Sequence, residues 1–98
     1  MSKGTATVHI DNDRVKVTEW RLPPGTSTER HRHPYDFVVL PLTTGKLRVV
    51  TGESDERVQV ELQAGKPFYS EAGAEHDVIN DDEGAGEFVF VEFEVKRP

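Results

Sequence analysis

Ninety-eight residues, with twelve Lys or Arg against eighteen Asp or Glu, give a net charge of −6 and no cysteine. That length holds one domain with a limited core. The missing cysteines exclude disulfides, thiolate metal sites and thiol nucleophiles, so any metal must be held by His, Asp or Glu.

No basic stripe is present to replace phosphate counterions, which argues against a nucleic-acid surface. The longest uncharged apolar run, "FVVLPL" (37–42), is too short to cross a bilayer. The first residues contain no apolar stretch of signal-peptide length, so the expectation is a soluble, cytoplasmic chain with no membrane partner.

In chain order, segments 5–10, 14–22, 27–33, 36–42, 46–51, 57–63, 67–70, 76–80 and 87–96 alternate with period two and are rich in Val, Thr, Phe and Tyr. That is the pattern of half-buried strands. Between them lie "DND", "PPGT", "TTG", "GESDE", "AGK", "EAGAE" and "DDEGAG", all turn-forming compositions. No window carries a sustained helical stripe; the nearest, "EAGAEHDVIN", contains a glycine and runs into β-branched residues. An all-β sandwich or barrel is therefore predicted. The acidic runs at 53–56 and 81–87 read as solvated loop tips.

The chemistry concentrates in "HRHPYDFVVLPLTTG" (31–45). Side chains two apart on a strand share a face, so His31 and His33 can converge while Arg30 and Arg32 point away. Pro34 holds His33 in an extended conformation and removes a ladder donor, which places the pair at a strand end or bend. An HxH pair alone also fits an exposed edge strand. A second segment, "GKPFYSEAGAEHDVIN" (65–80), adds His76 shortly after Gly73, with Asn80 four residues further on.

These two segments resemble the two motifs of the cupin superfamily. In the first, Gly25 precedes His31-x-His33 by five intervening residues and Gly45 closes the following strand. In the second, Gly65, Gly73, His76 and Asn80 stand at the family spacing, with Glu71 where the family has proline. The resemblance covers residues 25–80 and implies a single jelly-roll domain over 1–98. It also implies that His31, His33 and His76 bind one divalent transition metal, from among Fe, Ni, Zn, Mn and Cu. His9 belongs to neither motif and reads as an ordinary strand residue.

Cupins usually add a glutamate four or five positions after the second histidine, which here are Phe37 and Val38. Asp36 falls one residue short, and strand alternation turns it to the opposite face unless the bend at Pro34 corrects it. A site of three neutral imidazoles would keep the full charge of its ion and favour a small anion or carboxylate as ligand. Catalytic candidates by proximity in sequence are Tyr35, Asp36, Tyr69 and Glu75.

Two functions follow. One is a metal-dependent enzyme of oxygenase-like, isomerase or lyase type acting on a small anionic metabolite. The other is a non-catalytic cupin that binds or senses a small acid. The same stretches look like short bacterial cupins, some of which carry a label linking them to β-alanine catabolism. Trp20, Leu22, Phe88, Phe90 and Phe93 read as core or subunit interface. The C-terminal strand carries large residues on both faces, so a homodimer is expected.

Overall fold

The computed structural model describes residues 2–52, 54–81 and 86–96. Its strands are β1 (Ser2–Lys3), β2 (Thr5–Asp11), β3 (Val15–Leu22), β4 (Thr26–Ser27), β5 (His31–Arg32), β6 (Asp36–Pro41), β7 (Gly45–Thr51), β8 (Val58–Leu62), β9 (Phe68–Ser70), β10 (Glu75–Asn80) and β11 (Phe88–Val95). No helix occurs among the described residues. Parts of both acidic runs, Glu53 and residues 82–85, lie outside them, while Asp81 pairs with Arg57 and Arg48.

Two sheets face each other. One has the order β1-β4-β10-β7-β8, with β5 also paired to β10; the other has the order β2-β3-β11-β6-β9. This is the jelly-roll arrangement expected from the sequence, although hydrogen bonding among the described residues does not join β8 to β9 and close a continuous barrel. β11 organises its sheet. It pairs over its whole length with β3, from Phe88↔Leu22 to Val95↔Val15, and with β6 from Phe90↔Pro41 to Val95↔Asp36.

Alternation along β11 sends Phe88, Phe90, Glu92 and Glu94 inward. The inward side chains of both sheets form one core: Trp20 and Leu22 from β3, Phe37 and Val39 from β6, Leu47 from β7, Val78 from β10, and Phe88 with Phe90. Gly45 lies so close to this core that an added Cβ would sit 3.2 Å from the Phe88 ring. Asn80 is buried and acts as a clamp, its Nδ2 donating to the carbonyls of Leu22 and Gly86.

The structure departs from the sequence reading in two places: β1 lies outside the segments expected to be strands, and 27–33 is not continuous. Segment 27–33 is broken between β4 and β5 at Glu29, the one described non-glycine residue with positive φ, at 64°. Position 29 is stabilised in this left-handed geometry because its N–H donates to Ser27 Oγ and its carbonyl accepts from the Thr28 hydroxyl.

Candidate metal centre

The three histidines reach one point by different routes. His31 lies on β5 opposite His76 on β10, a direct cross-strand pair. His33 follows the end of β5 and is tied back by two backbone bonds, its N–H to the Ala74 carbonyl and its carbonyl from the Gly73 N–H. Gly73 makes that approach at φ 94°, a conformation that favours glycine.

The ring nitrogens converge. His31 Nε2 is 3.0 Å from His33 Nε2, which is 3.1 Å from His76 Nε2, and the rings stand at 77–83° to one another. Hydrogen bonds cannot account for both contacts. His33 Nε2 offers either one in-plane proton or one in-plane lone pair, and so can serve only one neighbour well. His31 has its Nδ1 2.8 Å from the Glu29 carbonyl, a contact that requires the proton on Nδ1, so the neutral tautomer it selects is the one with its lone pair on Nε2.

One cation would satisfy all three nitrogens at once. Two nitrogens each about 2.1 Å from one ion stand about 3.0 Å apart at a right angle and about 3.4 Å apart at the tetrahedral angle. The observed separations suit the right angle. Burial, reinforced by the neighbouring imidazoles, holds His33 down at about 3 and His76 at about 4, so both are neutral and ready to donate a lone pair at pH 7.

The other sheet supplies carboxylates. Glu92 and Glu94 project inward from β11 and are buried. Glu92 Oε1 lies 3.9 Å from His33 Nε2, and Glu94 Oε2 lies 3.7 Å from His33 Nδ1. Burial, and then the Glu94 charge, push the Glu92 carboxyl up to about 7, against the opposing pull of a hydrogen bond with Trp20 and the charge of Lys16. His31, His33, His76 and Glu92 place one ligand atom each within 4.8 Å of the others, a donor set compatible with a metal ion.

The carboxylate nearest the histidines is therefore not at 37 or 38. Phe37 is fully buried, and its ring stacks on His33 with centroids 3.8 Å apart. Val38 faces the other side of the sheet. Glu92 reaches the cluster because β11 lies beside β6, with Glu92 opposite Val39 and Glu94 opposite Phe37. The available sequence signal was the pair of acids on the otherwise apolar face of "FVFVEFEV".

The four residues nominated by proximity lie elsewhere. Asp36 accepts from the Tyr69 hydroxyl at 2.7 Å and from the Ala72 N–H at 2.9 Å. Tyr69 itself is 58 % exposed. Tyr35 lines a shallow surface recess with Pro34, Asp36, Ala72 and Val95. Glu75 pairs with Arg30 at 3.7 Å. His9, away from the cluster, contacts Glu19 at 3.1 Å.

A family model described as Cupin domain matches residues 18–92. The chain belongs to the cupin family. This cupin is 51 % identical over 90 residues to the "Beta-alanine degradation protein BauB" of Pseudomonas aeruginosa, covering 92 % of this chain and 90 % of the relative. Among solved structures, a cupin domain from Bordetella pertussis superposes with a TM-score of 0.89 at 49 % identity, covering 98 % of this chain and 96 % of that one. A double-stranded β-helix cupin from Methanocaldococcus jannaschii shares the fold at a TM-score of 0.77 and 11 % identity, covering 98 % of this chain and 83 % of that one.

Proposed function

We propose that this cupin holds one divalent transition metal on His31, His33 and His76, with Glu92 beside it, and acts on a small anionic metabolite. The observation that carries the reading is the meeting of three imidazole Nε2 atoms at 3.0 and 3.1 Å, one of them with its tautomer set by Glu29. The relationship to a protein named for β-alanine degradation supports a role in small-acid metabolism.

A bound ion would supply Lewis-acid or redox chemistry at the substrate's oxygen atoms. The chain supplies the rest. Glu29 accepts from the outer nitrogen of His31, the kind of supporting bond that strengthens histidine ligands, while Phe37 packs on one face of His33 and Glu94 stands 3.7 Å from the outer nitrogen of that ring. Without an ion, burial holds the Glu92 carboxyl up at about 7, and the positive charge of a bound ion would favour its carboxylate form beside the cluster.

Protein purified without an affinity tag should contain about one divalent ion per chain, and His76→Ala should lose nearly all of it. Full metal content in His76→Ala would refute the reading. Metal-dependent turnover of small carboxylates or β-dicarbonyls then separates an enzyme from a binding protein.

A further inference from the structure

A cavity of about 190 Å³ opens beside the cluster and shares only His76 and Glu92 with it. Its remaining wall comes from both sheets and is apolar except for Ser70. The wall contains no Lys or Arg. β8 and β9, the edge strands of the two sheets, contribute Val60 and Leu62 on one side and Phe68 and Ser70 on the other. Phe68 is 41 % exposed, which marks the seam between these strands as the side open to solvent.

A charge placed in this wall would lose its hydration and find no partner, whereas hydrocarbon would gain by leaving water. From these features we infer that the cavity selects a small molecule with a single polar head at His76 and Glu92 and an uncharged, apolar body. At about 30 Å³ per water-sized group the body has room for about six such groups. The inference rests on the metal reading for the head but not for the body. It also sets the ligand apart from a dicarboxylate, whose second carboxylate would be carried into the apolar wall.

The experiment uses two ligand series read by calorimetry and by methyl shifts in the NMR spectrum. Metal-loaded protein is titrated with straight-chain monocarboxylates from acetate to octanoate, with succinate as the doubly charged control. Affinity should rise about three- to fourfold per added methylene and level off when the cavity is full. Succinate should bind at least about tenfold more weakly than butyrate. Metal-free protein is titrated with straight-chain alcohols from ethanol to hexanol, which need no ion, and should show the same chain-length trend.

Val60→Trp, which fills the cavity from an edge strand, should shorten the preferred chain without lowering metal content. Phe68→Ala, which widens it, should lengthen the preference. A flat series for both acids and alcohols, or succinate binding as tightly as butyrate, would overturn the inference even if the ion binds. A chain-length trend with alcohols in protein that takes up no metal would instead uphold the cavity and remove the metal reading.

Discussion

Phe37 joins the core to the histidine cluster, so its replacement should be felt in both. Its side chain is fully buried, and its ring stacks on His33 at 22° and meets His76 nearly edge-on, with centroids 6.0 Å apart. Truncating a buried Phe to Ala costs about 3–5 kcal/mol, and loss of a ring pair can add about 0.5–1.5. A domain of this size has about 5–15 kcal/mol in total. Phe37→Ala should therefore leave the metal-free protein close to unfolding.

Phe37→Leu is the informative variant. It keeps most of the volume and should cost about 1–2 kcal/mol, lowering Tm by about 4–16 °C. By freeing one face of His33, it should also weaken metal binding by about tenfold. The assays are thermal unfolding in chelator and a competitive metal titration. Val38→Glu is the control, since that position faces the other side of the sheet and should leave metal affinity unchanged. Phe37→Leu with both Tm and metal affinity at wild-type values would refute the claim that this ring supports His33. A change of metal affinity in Val38→Glu would refute the inward and outward assignment of β6.

Glu29 holds a left-handed conformation whose carbonyl faces His31 Nδ1; Glu29→Gly should keep metal affinity and the fold, whereas Glu29→Val should destabilise by about 1–2 kcal/mol and weaken metal binding. Equal behaviour of the two variants would show that backbone geometry at 29 is irrelevant. In metal-free protein, His33 and His76 have lowered values in the fold, so their contribution is present above about pH 6.5 and is lost as pH falls through about 4 and 3; Glu92 is raised, so its contribution is present below about 4.5 and is lost as pH rises through about 7. Two histidines outweigh one carboxyl between these limits. Tm in chelator should thus rise from about pH 5 to about pH 6.5, and more steeply in Glu92→Gln; a flat profile in both would contradict the burial argument. The outer face of the β2-β3-β11-β6-β9 sheet carries Val17, Val38, Leu40, Val91 and Phe93, flanked by the exposed Ile10 and Val95, and this face is expected to cover a second copy of the chain. Sedimentation should give twice the 11.0 kDa chain mass, reduced to one chain in Phe93→Lys, and a wild-type monomer at micromolar concentration would exclude the dimer.

What the sequence determined by itself was local. Period-two alternation, and the turn-forming residues between the runs, specify strands and turns through backbone sterics and the two-faced geometry of a strand, and the HxH spacing puts two imidazoles within reach of each other before any long-range contact forms. The tertiary structure decided what depends on partners distant in the chain. The break at Glu29 is an exception, held by the near neighbours Ser27, Thr28 and His31 in a conformation that Glu alone disfavours and that period-two alternation does not reveal. Phe37 rather than Val38 faces the histidines because β6 lies in register with β11, and the same register brings Glu92 and Glu94 across more than fifty residues of chain to the cluster. The apolar cavity arises only where the free edges of two sheets, β8 and β9, come to face one another. Spacing along a strand fixes which side chains share a face; only the pairing of strands and the stacking of sheets fixes which face is buried and what it meets.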